Sequence, residues 1–324
     1  MSGSGAAPKL ASHAVRTRRL GDSGIEVSVV GLGCNNFGRR VDLEGTRAVV
    51  DAALDAGITL FDTADVYGGG DSERFLGEAL RGRRDRVVLA TKWGMGRTEG
   101  APGSRTAVQS AAEGSLRRLE TDVIDLLQYH RPDGVTPFEE TLGALDELVR
   151  EGKVRAVGCS NFEAGQLEAS DAAAKELGTV RFESVQNEYN LLERGLEADV
   201  RPVAERLDIS VIPYFPLANG LLTGKYRRGE RPPEGTRLSG AQTVAPDHVF
   251  DALEALDEYA CERGITMVDV AIGGLSAQPT VASVIAGATN PDQVRANAAA
   301  AGWEPSEEDL RALDLIFPSQ AAAR

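Results

Sequence analysis

The sequence predicts an α/β fold, a (β/α)8 TIM barrel. Short apolar runs alternate with longer stretches of helical periodicity, and most of the short runs lack the polar alternation of half-exposed strands. Eight such βα units in a chain of 324 residues are typical of this barrel. On this pattern alone, a doubly wound parallel sheet is the alternative. The predicted strands are Val27–Gly33, Ile58–Thr63, Arg86–Lys92, Val123–His130, Lys153–Ser160, Phe182–Tyr189, Asp208–Tyr214 and Val281–Gly287.

The helices between these strands are predicted from apolar spacing and from signals at their ends. In residues 43–57 the apolar positions recur at helical spacing, and Gly57 suits the end of the helix. In residues 71–80 an apolar stripe follows Asp71 and Ser72, which are residue types that favour a helix N-cap.

Two long insertions interrupt this alternation, at residues 93–104 and at about residues 226–248. The second is rich in Arg, Pro and Gly, and loops of this length are usually lids, binding loops or disordered. We therefore expect it to form a lid. Residues 1–15 are expected to be a disordered tail, and residues 16–324 a single barrel domain.

Composition narrows the class of protein. The formal net charge is −14, which argues against a broad nucleic-acid or anionic-membrane surface. No apolar run is long enough to span a membrane, and the N-terminus lacks the pattern of a signal peptide. Cys34, Cys159 and Cys261 cannot all pair, and their spacing fits no metal site. We expect a reduced, cytoplasmic protein without a metal.

Polar or ionisable residues stand at the ends of most predicted strands, where barrel enzymes place their active sites. Asp62, Lys92 and His130 end three strands, and Tyr67 follows Asp62 in the next loop. Ser160 and Asn161 end a fourth strand, Gln186 lies near the end of another, and Tyr214 ends the seventh. Because these ends meet at one rim, we expect the side chains to form a site.

The residue types at this rim fit the reduction of a carbonyl group. Tyr67 is suited to donate a proton to a developing alkoxide, but the pKa of a free phenol is about 10. The ammonium group of Lys92 would lower that pKa, and Asp62 would keep Lys92 charged. His130 would hydrogen-bond and orient the carbonyl oxygen. Two alternatives are a purely structural Asp62–Lys92 ion pair and a lyase or isomerase in which Lys92 forms a Schiff base.

Seven motifs in order resemble those of the aldo-keto reductase superfamily: FDTADVYGGGDSE, ATKWG, LQYHRPD, GCSNF, VQNEYN, PLANGLLTGKY and IAGATNPDQVRAN. The resemblance runs from about residue 18 to residue 301. It implies a barrel whose base is capped by an N-terminal β-hairpin, here RRLGDSGIEVSVVGLG. It also implies a catalytic tetrad of Asp62, Tyr67, Lys92 and His130. The expected activity is reduction of an aldehyde or ketone, a small-molecule carbonyl substrate, by a monomer or small homo-oligomer.

By the same resemblance, NADPH binds in an extended conformation without a Rossmann domain, and NADH is the less favoured cofactor. Ser160, Asn161 and Gln186 would hold the nicotinamide carboxamide, and Tyr214 would stack on its ring. The remaining cofactor residues would line the cofactor mouth, the pyrophosphate and the adenosine. The full implied set is Gly33, Cys34, Asn35, Asp62, Ser160, Asn161, Gln186, Tyr214, Phe215, Pro216, Leu217, Gly220, Leu222, Lys225, Gly287, Thr289, Gln293 and Asn297.

Two positions depart from the pattern of the family. Phe215 stands where many relatives have a serine, and the segment GATNPDQ is neutral where relatives often carry a lysine or arginine for the 2′-phosphate. Cations that could replace it are Lys225, Arg227, Arg228 and Arg295.

The substrate pocket is expected to include Phe37 and Trp93, with Asn35, Asn36, Met95 and the loop after Tyr226. Trp93 could equally be core packing at a strand end. An alternative from another class is a cofactor-binding regulatory subunit of a membrane channel, which the intact tetrad does not exclude.

Overall fold

The computed structural model describes residues 15–96, 100–241 and 243–319. Apart from Val15, which packs against the main core, the predicted tail at residues 1–15 lies outside the described residues. The last residues of the predicted domain, 320–324, lie outside them as well.

Eight parallel strands form the predicted barrel. Neighbours in the sheet follow the order of the chain, and the last strand lies beside the first, so no strand-order reversal of a doubly wound sheet is present among the described strands. Val211 exchanges backbone hydrogen bonds with the segment at residues 280–282, which closes the barrel. The barrel strands are β3 (Val30–Gly33), β4 (Leu60–Asp62), β5 (Val88–Trp93), β6 (Ile124–Tyr129), β7 (Val154–Ser160), β8 (Phe182–Gln186), β9 (Ser210–Val211) and β10 (Val284–Gly287).

Helices connect the barrel strands and pack around them. The predicted N-cap at Asp71 and Ser72 is wrong by one residue, because Gly70 caps that helix in a left-handed conformation and Asp71 is its first residue. The helix over residues 43–57 ends as predicted, with Gly57 at φ 81°. The helices are α1 (Leu43–Asp55), α2 (Asp71–Ala79), α3 (Arg105–Leu119), α4 (Phe138–Arg150), α5 (Ala164–Leu177), α6 (Val200–Arg206), α7 (Asp247–Glu262), α8 (Met267–Ser276), α9 (Pro291–Ala300) and α10 (Glu307–Ile316).

An N-terminal hairpin covers the base of the barrel, as predicted. It consists of β1 (Thr17–Arg19) and β2 (Glu26–Ser28), which pair antiparallel. Arg18 donates to the carbonyls of Val281 and Gln278 at 2.5 and 3.2 Å, just before the last barrel strand. Leu20, Ile25 and Val27 of the hairpin enter the apolar cluster inside the barrel, so the base is closed by packing as well as by hydrogen bonds.

Apart from Trp93, which ends β5, and the start of α7, the described residues of the two insertions are irregular. The first is described except for residues 97–99, and the second except for residue 242. The second ends at Asp247, where α7 begins. Among the described residues, none of the helices combines the length and the apolar character that a membrane crossing requires.

Candidate active site

The period of the strands places a polar layer on top of an apolar one inside the barrel. Leu60, Ala90 and Leu126 belong to the apolar cluster in the barrel, and the residues two positions further on are Asp62, Lys92 and Gln128. Successive side chains of a strand point to opposite faces, so the residues of each pair share the inner face. The change from apolar to polar along that face assembles the buried groups at the carboxyl rim.

Asp62 and Lys92 form a fully buried ion pair. The Nζ of Lys92 donates to the carboxylate of Asp62 at 2.5 Å and to the carbonyl of Thr63 at 2.8 Å. The second oxygen of Asp62 accepts from the side-chain amides of Gln128 and Gln186, each at 2.9 Å. Both charges are therefore hydrogen-bonded within the barrel, as buried charges require.

The surroundings keep Lys92 protonated. Burial alone would lower the pKa of Lys92, but the charge of Asp62 and the phenol of Tyr67 outweigh it, so the net shift is upward. A protonated, hydrogen-bonded amine is a poor nucleophile. This geometry argues against the Schiff-base alternative.

A turn of consecutive glycines brings Tyr67 over this pair. Gly68, Gly69 and Gly70 have φ values of 58°, 67° and 97°, a region that side chains rarely adopt. A Cβ at Gly68 would also meet the carbonyl of Phe37 at 2.9 Å. The three glycines therefore let the chain turn sharply into α2, and the Nζ of Lys92 lies 5.1 Å from the centre of the Tyr67 ring.

The pKa of Tyr67 moves opposite to the predicted direction. Burial raises it, and the nearby charge of Lys92 opposes this rise without cancelling it. The predicted contribution of Lys92 is therefore present, but the desolvation of the phenol is larger, and the prediction of a lowered pKa is wrong for this structure.

His130 faces Tyr67 and is neutral near pH 7. The two rings lie edge to face, with 5.8 Å between their centres. Burial, together with the charges of Lys92 and Arg131, lowers the pKa of His130 to about 3. Its Nδ1 is buried and has no hydrogen-bond partner among the described residues. A neutral imidazole in this position is suited to hydrogen-bonding an oxygen in the cavity.

Tyr67 and His130 border an elongated cavity of about 560 Å³, within the size range of small-molecule and cofactor sites. It runs from the tetrad to the start of α9. Asp62 lines it too, while Lys92 lies directly behind Asp62. All of the predicted cofactor residues except Leu222 line this cavity.

Hydrogen bonds fix the polar groups at the end nearest the tetrad. The Tyr214 hydroxyl donates to the amide oxygen of Asn161 at 2.9 Å, and the Asn161 amide donates to the carbonyl of His130 at 2.9 Å. The Ser160 hydroxyl donates to the carbonyl of Gln186 at 2.7 Å. These groups therefore hold fixed positions beside the catalytic candidates.

Towards α9 the cavity wall includes a curled stretch of backbone and Lys225. Phe215 and Gly220 have φ values of 53° and 93°, so the chain curls beneath the cavity. A Cβ at Gly220 would lie 2.5 Å from the Nζ of Lys225, so only glycine lets this amine lie against the turn. At the end of the cavity the wall includes Thr289 and Gln293. The backbone amide of Thr289 donates to the side-chain oxygen of Gln293 at 2.9 Å.

Three predicted site residues lie in the packed core instead of on the cavity wall. Phe37 and Trp93 were expected to contact substrate, but both are completely buried. Trp93 stacks on Tyr129 with 4.8 Å between ring centres, and its Nε1 donates to the carbonyl of Pro102. Leu222 packs with α7 and α8. Each large apolar side chain is stabilised more by burial than by a place beside polar groups.

Of the four cations suggested for the 2′-phosphate, only Lys225 lines the cavity. Arg227 pairs with Asp257, and Arg295 pairs with Asp292. Arg228 is held by three carboxylates of α7: Asp247, Asp251 and Glu254.

The structure places several further residues in the site that the sequence did not lead us to predict. Gln128 supports Asp62, and its signal was present, because it lies two residues before His130 on the same face of its strand. Arg131 follows His130 directly and lines the cavity. Arg40 and Arg237 come from separate loops, and no local pattern indicates that they meet.

Comparison with known proteins identifies the family. A model of the Aldo/keto reductase family matches residues 29–317. The chain belongs to the aldo-keto reductase family. The family supports a general oxidoreductase role, and its members generally bind a nicotinamide cofactor, usually NADPH.

Three relatives show which kinds of family member this chain is similar to. It is 36% identical over 312 residues to the aldo-keto reductase YhdN of Bacillus subtilis, covering 92% of both chains. It is 34% identical over 311 residues to a probable voltage-gated potassium channel subunit beta of Oryza sativa, covering 92% of this chain and 91% of the relative. It is 36% identical over 313 residues to the uncharacterized oxidoreductase YrpG of B. subtilis, covering 92% and 95%.

Proposed function

We propose that this aldo-keto reductase reduces an aldehyde or ketone to the alcohol with NADPH, and that Tyr67 is the general acid. The observation that carries the proposal is the arrangement of Tyr67 between the buried Asp62–Lys92 pair and neutral His130 at one end of a long cavity. The expected cytoplasmic location stays a prediction, with all three cysteines free in the structure.

The side chains of the site divide the work of proton transfer. His130, neutral, donates a hydrogen bond to the carbonyl oxygen and orients it. As negative charge develops on that oxygen, the Tyr67 hydroxyl gives up its proton to it. Lys92 stabilises the phenolate that forms, and Asp62 keeps Lys92 charged. In the reverse direction, the same phenolate accepts the proton of the alcohol.

The residues along the cavity fit a nicotinamide dinucleotide. The hydroxyl of Ser160 and the amides of Asn161 and Gln186 offer both donors and acceptors, which a carboxamide requires. Lys225, free of acidic partners among the described residues, offers a charge for phosphate. When bound, the cofactor supplies the hydride.

The far end of the cavity bears on the choice of cofactor. Its segment at β10 and α9 carries Thr289, Gln293 and Asn297, which are neutral, so the cations at this end come from other loops. Since a 2′-phosphate favours arginine or lysine, we expect only a small preference for NADPH over NADH, less than about tenfold.

A panel of aldehydes and ketones with NADPH or NADH tests the proposal, with oxidation of the cofactor followed by its absorbance and affinity followed by fluorescence. Turnover that depends on Tyr67 supports the reductase. Binding of neither cofactor would remove the basis of the proposal.

A regulatory channel subunit is the second candidate, since two relatives named as channel beta subunits match at 34% and 33% identity. This candidate predicts tight cofactor binding with very slow turnover. It also predicts a tetramer, which light scattering would detect. The reductase predicts multiple turnovers on at least one carbonyl substrate.

A further inference from the structure

The wall of the cavity carries an excess of positive charge, although the formal net charge of the chain is −14. Asp62 is the only carboxylate among the described lining residues, and Lys92 already neutralises it. Four basic side chains line the cavity without an ion pair to any described residue, which favours anions inside it. These side chains are Arg40, Arg131, Lys225 and Arg237.

The barrel separates Arg131 from the other three cations. Arg40 lies in the segment after β3, and Lys225 and Arg237 lie in the segment after β9, so all three follow the two strands that flank β10. Arg131 follows β6, which is four strands away from β10 in either direction around the barrel. The proposed phosphate end of the cofactor site lies at β10 and α9. Arg131 therefore lies on the opposite side of the rim.

The loop that carries Arg131 is held in place by its own hydrogen bonds. The carboxylate of Asp133 accepts from the backbone amides of Gly103 and Thr136, at 2.9 and 2.8 Å, and from the Thr136 hydroxyl at 2.7 Å. The backbone amide of Asp133 donates to the Tyr129 hydroxyl at 3.0 Å. Asp133 is thus committed to the loop, and its neighbour Arg131 stays exposed at the cavity mouth without an acidic partner.

We propose that Arg131 binds a carboxylate of the substrate, so that this enzyme prefers aldehydes and ketones that carry a carboxylate on the side remote from the cofactor. His130 holds the carbonyl oxygen in the proposed function, and the adjacent Arg131 lines the cavity on the side away from β10 and α9, where the rest of the substrate would extend. A guanidinium group binds a carboxylate through two parallel hydrogen bonds, which adds orientation to affinity. The inference rests on the proposed reductase function.

The experiment compares para-carboxybenzaldehyde with its neutral methyl ester, methyl para-formylbenzoate. We expect kcat/KM for the acid to exceed that for the ester by about tenfold or more, as a charge-assisted pair allows. The ratio should fall close to one in Arg131→Gln and take an intermediate value in Arg131→Lys, which keeps the charge but not the planar fork. The ratio should also shrink as salt screens the pair.

Two variants serve as matched comparisons. Arg150→Gln removes an arginine that is 72% exposed on α4 and paired with Asp146, and it should leave the ratio unchanged. Arg237→Gln removes a cavity cation that donates to Asn219 and lies over Phe215, and it should weaken cofactor binding instead of changing the ratio. Thermal melting of each variant checks that it is folded.

A binding measurement makes the result independent of turnover. Calorimetry with para-(hydroxymethyl)benzoate and with benzyl alcohol uses protein loaded with NADPH, with which an alcohol does not react. The acid should bind more tightly than benzyl alcohol, and Arg131→Gln should abolish the difference. Equal kcat/KM for acid and ester, with the ester still reduced, would overturn the role of Arg131 and leave the reductase intact. A lack of turnover for every carbonyl compound would overturn the proposed function and this inference with it.

Discussion

Tyr67 differs from the other members of the tetrad because a turn, and not a strand end, carries it. Lys92 and Gln128 both donate hydrogen bonds to Asp62, which connects the strands β4, β5 and β6. Tyr67 contributes its ring to the edge of the cavity and its position depends on the glycines that follow. Removal of its hydroxyl should therefore affect chemistry more than structure.

We predict that Tyr67→Phe lowers kcat for carbonyl reduction by about 10²–10⁴-fold, the usual contribution of a general acid. The affinity for NADPH should change little, because the ring remains. Stopped-flow reduction and fluorescence titration measure the two quantities. A variant that retains wild-type turnover would disprove the assignment of Tyr67 as the acid.

Asp65 offers a test of electrostatics outside the tetrad. Burial, together with the charge of Glu73, raises its pKa from about 3.8 to about 6, and its Oδ1 has no partner among the described residues. The ionised form therefore costs stability above pH 6, and this cost disappears as the pH falls towards the pKa of the unfolded chain.

We predict that Asp65→Asn raises the free energy of unfolding at pH 8, by about 3 kcal/mol at most for a shift of about two pKa units. The gain should shrink as the pH is lowered from about 6 to 4. Urea unfolding across this range measures it. A gain that is the same at every pH would contradict the electrostatic explanation.

At the scale of elements, the hairpin acts as the floor of the barrel. Arg18 connects it to the segment before β10, whereas Arg19 in the same strand pairs with Asp22 at the surface, where the side chains are 63% and 75% exposed. Exposed pairs contribute little, while charged donors to partly buried carbonyls contribute more.

We predict that Arg18→Met lowers the free energy of unfolding by about 2 kcal/mol, and that Arg19→Met leaves it nearly unchanged. Urea unfolding measures the free energy of unfolding of both variants, and steady-state kinetics shows whether their activity is retained. Equal stability losses in the two variants would show that the bonds to the Val281 and Gln278 carbonyls do not anchor the hairpin.

Strand positions could be read from the sequence because strands buried on both faces leave short, continuous apolar runs. Their lengths could not: residues 208–214 were predicted as a strand, and only Ser210–Val211 forms one. The polar rim was also readable, because side-chain period is a local property. Whether Trp93 or Phe37 faces the cavity depends on which residues pack around it, which no local pattern encodes.

At the scale of the whole molecule, positive charge is concentrated at the cavity of an acidic protein. The paired arginines outside it, such as Arg227, are balanced by helix carboxylates, and Lys225 within it is not. A bound dinucleotide should therefore gain from these few unpaired charges against a repulsive overall field.

We predict that Lys225→Gln raises the Kd for NADPH by about tenfold at low salt and reduces the dependence of Kd on salt. Arg227→Gln, which removes a cation paired with Asp257, should leave both unchanged. Fluorescence titration from low to high ionic strength gives these values. A Kd for Lys225→Gln that matches the wild type would remove Lys225 from the cofactor site.

The buried pair of Asp62 and Lys92 has a consequence for descent within the family. Because these groups and Gln128 connect three successive strands, β4, β5 and β6, a lineage that no longer needed catalysis would still lose folded protein if it lost any one of them. Selection for a stable barrel would then preserve two members of the tetrad, Asp62 and Lys92, without any selection for turnover. The hydroxyl of Tyr67 takes no part in these bonds between strands. Its retention or loss is therefore the better indication of which descendants still work as enzymes.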